Sequence, residues 1–189
     1  MLAQSLRVHE ICKQSRVNGP GNRAVVWVQG CSIGCRGCFN PNTHPDKQGG
    51  RLYEPDSLGQ ELGRLPVDGL TVSGGEPLDQ PEQVRRLVQS FRQVHSGTVL
   101  LFTGYTAEAI LRCEEKRKAL LLFDVAIAGP YQAQSEEIWH GKKLIVLTNR
   151  ITPEELIPQR KVELVQGERS LHLTGFPTAN IQSSLYTWL

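Results

Sequence analysis

Nowhere in this chain of 189 residues do apolar side chains run for the roughly 20 positions that a helix needs to cross a bilayer. The start, Met1 to Gln14, carries Arg7, His9, Glu10 and Lys13 and has no apolar block of the signal-peptide kind, so a cytoplasmic protein with no membrane partner is expected. Charge of one sign is also scarce. The 21 Lys and Arg residues against 19 Asp and Glu leave a net +2, which gives no field that would point to nucleic acid or an anionic surface. Lys116-Arg117-Lys118 and Lys142-Lys143 are tight basic clusters, and each reads as a solvated face. Internal repeats and low-complexity stretches are absent. Cysteine is sparse, with five in all, an odd number, and three of them fall within eight residues. That grouping suits a metal-binding loop better than a disulfide framework.

The length fits one domain around one core. Residues 1–151 read as its main body, and 152–189 as a C-terminal hairpin and tail of the same domain. Arg23 to Gln29 is a β-branched and aromatic run that follows the turn-rich Asn18-Gly19-Pro20-Gly21-Asn22, so it reads as a buried strand. Gly69 to Ser73 is a second strand, followed by a helix from Pro81 with an apolar stripe of Val84, Leu87, Val88, Phe91 and Val94. Thr98 to Thr103 is a third, and Thr106 caps a helix that runs towards Leu121 and contains Cys113 as a buried, inert thiol. Asp124 to Ala128 and Lys143 to Leu147 add two more strands. Val162 to Val165 and Ser170 to Thr174 flank Gln166-Gly167-Glu168-Arg169 as a terminal hairpin. Strands that alternate with helices predict an α/β fold with a mostly parallel sheet, and about five units are too few for a complete barrel, so an open partial (β/α) barrel is expected.

Gly30-Cys31-Ser32-Ile33-Gly34-Cys35-Arg36-Gly37-Cys38-Phe39-Asn40 sets three thiols on one loop at the end of the first of these strands. Thiolates are the soft ligands that iron–sulfur clusters select. A structural zinc ion would want a fourth ligand, for which His44 is the nearest candidate. If Cys31, Cys35 and Cys38 hold a [4Fe-4S] cluster, its fourth iron is left open for something other than protein, which means chemistry rather than electron storage.

The C-x3-C-x2-C spacing resembles the signature of the radical S-adenosylmethionine (SAM) superfamily, and Ser73-Gly74-Gly75-Glu76-Pro77 resembles that superfamily's GGE motif. Within it the chain is similar to the activating enzyme of anaerobic ribonucleotide reductase and to related small single-cluster proteins. The likeness covers roughly residues 17 to 141, through Asn18-Gly19-Pro20-Gly21, Gly34 to Asn40, Ser73 to Pro77 and Thr103-Gly104-Tyr105. It implies a [4Fe-4S] cluster and SAM as cofactors, with Gly74, Gly75 and Glu76 at the amino end of SAM, Phe39 near the adenine and Thr103 facing the ribose. It also implies a 5′-deoxyadenosyl radical that abstracts hydrogen from a polypeptide, with the electron coming from a low-potential donor such as flavodoxin or ferredoxin. The glycines would let the main chain approach the ligand, and Glu76 would offer a carboxylate to an ammonium. Both loops follow strand C-terminal ends, where ligand sites in open α/β sheets gather.

Three stretches depart from the activase pattern: Thr43-His44 where Thr-Trp is common, Ala128-Gly129 where Asp-Gly is common, and Gly141-Lys142-Lys143-Leu144-Ile145 in place of Gly-Ser-Ser-Asn-Gln. The polypeptide is therefore open at this stage. An activase would act on a glycyl radical enzyme. A peptide maturase would act on a ribosomally made precursor peptide, which for so small a chain calls for a separate peptide-presenting protein. A purely electron-transferring iron–sulfur protein would have no use for the Gly-Gly-Glu loop.

Overall fold

The computed structural model describes residues 5–38, 40–45, 49–133, 138–157, 161–166 and 171–176. Phe39 and the tail from Pro177 to Leu189 lie outside the described residues. The chain runs β1 (Leu6–Ser15), β2 (Arg23–Val28), β3 (Arg51–Tyr53), α1 (Pro55–Gly63), β4 (Gly69–Gly74), α2 (Pro81–Val94), β5 (Thr98–Thr103), α3 (Ala107–Arg112), α4 (Glu114–Leu120), β6 (Val125–Ala128), β7 (Lys143–Val146), β8 (Val162–Gln166) and β9 (Leu171–Gly175). No described helix is long and apolar enough to cross a membrane.

Seven strands form one sheet in the order β3-β1-β2-β4-β5-β6-β7, and β8 and β9 form a separate antiparallel pair. The four central strands β2, β4, β5 and β6 are parallel, as their near-continuous apolar runs require of strands covered on both faces. Their registers align Val26, Val72, Leu101 and Ala126 in one row, each without solvent exposure. Against this row α2 lays Val84, Leu87, Val88 and Phe91. Val94, the fifth residue of that stripe, is exposed, because the helix ends there. On the other face Leu100, Val125 and Ile127 pack with Phe102, Trp139, Ile151 and Leu156.

At the base of the sheet Arg23 is fully buried and uses all its N–H donors. Nε donates to Thr71 Oγ1 at 2.6 Å, and the two terminal nitrogens donate to Pro20 O, Thr98 Oγ1, Leu70 O and Thr98 O. Burial lowers its pKa to about 10. This hub pins the Asn18–Gly21 turn beneath the strands and leaves their C-terminal ends free for other work.

Several expectations need correction. The expected mostly parallel sheet is present, but its margins are not parallel: β1 and β7 join it antiparallel and β3 pairs antiparallel with β1. The predicted helix from Thr106 to Leu121 is two helices that break at Cys113, which closes α3 and opens α4. Cys113 is therefore half-exposed rather than a buried core thiol. The basic clusters are not uniform solvated faces either. Lys116 folds over the Tyr105 ring at 4.1 Å from its centroid, and Lys142 turns inward, while Arg117, Lys118 and Lys143 stay exposed.

Candidate functional site

Because β2, β4, β5 and β6 are parallel neighbours, the four loops that leave their C-terminal ends meet along one edge of the sheet. The cysteine loop leaves β2, the Gly-Gly-Glu loop leaves β4, Thr103-Gly104-Tyr105 leaves β5 and Ala128-Gly129 leaves β6. The first two are joined backbone to backbone: Gly75 N donates to Val28 O at 2.9 Å and Glu76 N to Gly30 O at 2.8 Å. Side chains at Gly74 and Gly75 would run into the backbone of Val28 and of Gly30, so the close pass of β2 demands glycine at both positions, whatever ligand the loop meets.

The cysteine loop is stitched along its length. Gly30 N donates to Thr43 O, Cys31 N to His44 O and Cys38 N to Cys35 O. Ser32 is held twice by Asp79, from its N–H at 2.7 Å and from its hydroxyl at 2.9 Å. Tyr105 OH donates to the same carboxylate at 2.6 Å. Asp79 belongs to a 3-10 turn, Pro77–Asp79, that continues directly from Glu76, so the β4 loop grips the cluster loop at two points.

Cys31, Cys35 and Cys38 are each half-buried on this loop. Burial pushes the Cys31 and Cys38 thiols up, and the nearby sulfurs of Cys35 and Cys31 add to the rise at Cys38. Deprotonation therefore calls for a bound metal to stabilise the thiolates. A side chain at Gly34, in the middle of the loop, would meet nothing within 4 Å. Three soft thiol donors on one short loop fit an iron–sulfur cluster. Among the described residues no three His, Cys, Asp or Glu side chains, His44 included, surround one point as ligands of a single ion would. The buried His44 Nε2 has no hydrogen-bond partner among the described residues.

Glu76 has no solvent exposure. Its Oε1 accepts from Leu78 N at 2.8 Å and Thr103 Oγ1 at 2.7 Å, and its Oε2 from Gly104 N at 2.7 Å. Burial raises its pKa to about 7 against the pull of these three bonds. A carboxylate offers roughly four acceptor directions, so one remains for an ammonium, and its neutral donors leave it short of positive charge. The arrangement fits the amino end of SAM. Thr103 is buried, with its hydroxyl engaged by Glu76 and by Tyr105 N. Sequence pattern does not point to Asp79 or Lys142 as part of the site. An Asp three residues after Glu76 is an ordinary turn residue in sequence, and a lysine pair reads as surface.

A three-thiol loop joined to a Gly-Gly-Glu loop across the ends of parallel strands defines a radical SAM protein. A model of the 4Fe-4S single cluster domain family matches residues 17–150, and the chain belongs to that family. It is 33% identical over 133 residues to an anaerobic ribonucleoside-triphosphate reductase-activating protein of Enterobacteria phage T4, covering 66% of this chain and 82% of that one. A protein of the same description from Vibrio cholerae serotype O1 is 30% identical over 148 residues, covering 72% and 93%. A pyruvate formate-lyase-activating enzyme of Clostridium pasteurianum is 34% identical over 128 residues, covering 63% of this chain and 52% of the relative. The chain is thus a radical SAM enzyme of the activating kind, with a [4Fe-4S] cluster and SAM as its cofactors.

Proposed function

We propose that this protein is an activase that removes a Cα hydrogen from a glycine of a partner glycyl radical enzyme, with Cys31, Cys35 and Cys38 as cluster ligands and Gly74, Gly75 and Glu76 at the amino end of SAM. The observation that carries the assignment of residues is the Gly30–Glu76 backbone bond, which ties the thiol loop to the Gly-Gly-Glu loop. When bound, the cluster and SAM supply the 5′-deoxyadenosyl radical. The chain's own residues do the rest. Asp79 and Tyr105 fix the thiol loop, Glu76 takes an ammonium, and Thr103 holds Glu76 in place at the strand end towards the ribose. Orientation of this kind is the protein's main contribution in cofactor-borne radical chemistry. A one-electron donor of the flavodoxin or ferredoxin class completes the cycle. The relatives' descriptions as activating proteins favour a glycyl radical enzyme over a short precursor peptide as the substrate.

The test is anaerobic reconstitution, then reduction with SAM in the presence of a candidate glycyl radical enzyme. The expected result is 5′-deoxyadenosine formed in proportion to a glycyl radical seen by electron paramagnetic resonance. Turnover that needs a short peptide and leaves the glycyl radical enzyme untouched would overturn the substrate. Two substitutions test the residues. Cys35→Ala is expected to lose the cluster, read as iron and sulfide content. Glu76→Ala is expected to keep it but weaken SAM by about tenfold or more in equilibrium binding, the scale of one lost charge-assisted hydrogen bond.

A further inference from the structure

Lys142 stands just before β7, beside the end of β6, and its side chain points towards the shared loop edge rather than outward. Its Nζ donates to Gly129 O at 2.6 Å and lies 3.5 Å from Thr103 O. Both acceptors are uncharged, and among the described residues its ammonium forms no ion pair. The ionisable groups close enough to act on its charge are Glu76, Cys35 and Cys38. Backbone packing brings the same region against the cluster loop, since a side chain at Gly37 would touch Ala133 Cβ at 2.8 Å and one at Gly141 would strike Gln132.

A half-buried ammonium held by two carbonyls, on the side of Glu76 and of two cluster cysteines, is placed to meet negative charge that arrives with the cofactors. Three thiolates outweigh the charge of an oxidised [4Fe-4S] cluster, so the assembly is anionic and gains one more negative charge on reduction. We infer that Lys142 is a positioning countercharge for the cluster, one that raises its reduction potential and so eases entry of the electron from a low-potential donor. The inference rests on the reading that Cys31, Cys35 and Cys38 hold the cluster. In the step one electron leaves the donor and reduces the cluster; no bond forms or breaks, and Lys142 is an ammonium before and after. Charge near the cluster is one of the established levers on such potentials. A unit charge acting across a partly dry site is expected to change the reduction equilibrium by roughly tenfold, about 59 mV for one electron.

The measurement is a mediated redox titration of the reconstituted protein without SAM, followed by electron paramagnetic resonance. Lys142→Met, with full iron and sulfide, is expected to reduce at a potential lower by about that amount. Lys142→Arg is expected to stay near the wild-type value, and so is the exposed neighbour Lys143→Met. If Lys142→Met fails to hold a cluster, Lys142→Gln, which keeps a donor for the two carbonyls and removes the charge, reads the same quantity. An unchanged potential in a loaded uncharged variant would overturn the inference, as would an Arg variant as low as the Met variant. Weaker SAM binding at unchanged potential would also overturn it, and would reassign Lys142 to the SAM ligand. Wild-type protein that holds no cluster would instead refute the assignment of the cysteines, so the two failures are distinct.

Discussion

Glu76 receives three hydrogen bonds and ends with a pKa near 7 because all three donors are neutral and the site is dry. The consequence for stability has a definite sign. The unfolded carboxylate titrates near 4.5 and the folded one near 7, so between these values the native chain keeps a proton that the unfolded chain has lost. Stability from this residue is present at the acid end, falls as pH rises from about 4.5 to about 7, and stays low above that. The gap of 7 − 4.5 = 2.5 pKa units corresponds to about 3 kcal/mol as an order of magnitude. Urea unfolding of the SAM-free protein at about pH 5 and about pH 8 should therefore show a loss that Glu76→Gln does not share. Equal slopes for the two proteins would refute this account. Saturating SAM should flatten the wild-type slope, because an ammonium beside the carboxylate restores its ordinary acidity.

At the scale of elements, the cysteine loop is held by the turn after Glu76 as well as shaped by its own glycines. Asp79 accepts from Ser32 N, Ser32 Oγ and Tyr105 OH, and Lys116 approaches it at 3.9 Å while covering the Tyr105 ring. Removing the acceptor takes the carboxylate from the part-buried Tyr105 hydroxyl and leaves the exposed Ser32 donors to water, at a cost of about 1 kcal/mol. Asp79→Ala is expected to fold but to release its iron to a chelator severalfold faster than wild type under anaerobic conditions; an unchanged rate would show that the glycines alone hold the loop. None of this was legible in the sequence, since the contacts join positions 47 and 26 residues apart. The elements that escaped sequence reading did so for related reasons. β1 alternates buried Leu6 and Val8 with Arg7 and His9, so its polar half masked its strand character. α1 carries Gly59, a poor helix former, because a side chain there would strike Leu87 O and crowd Phe91 N of α2. By contrast the parallel strands and the three-cysteine loop were plain, because strands buried on both faces and metal loops declare themselves over a few consecutive residues.

For the whole molecule, the question is how a two-stranded hairpin, marginal by itself in water, stays attached to the seven-stranded sheet. Glu163 of β8 supplies the main tie. It accepts from Ser15 Oγ at 2.7 Å and from Arg16 N at 2.9 Å at the end of β1, and Asn18 Nδ2 adds a bond to Thr174 Oγ1 of β9 at 2.8 Å. A second tie is aromatic, with Trp139 and Phe176 edge to face at 6.5 Å. The hairpin was visible in sequence from its turn, but its docking was not, because the partners lie 148 and 156 residues away. Glu163→Ala leaves the buried Ser15 hydroxyl and the Arg16 N–H without their acceptor, at a cost of about 1–3 kcal/mol. That is enough to make undocking of so small a unit frequent, whereas the central sheet keeps its own core. Hydrogen exchange should therefore rise at the β8–β9 amides of Glu163→Ala and stay at wild-type protection in β4 and β5. Protection lost from both regions together would mean that the hairpin is part of the sheet's cooperative unit. Protection kept in both would mean that the Asn18–Thr174 bond and the aromatic tie suffice.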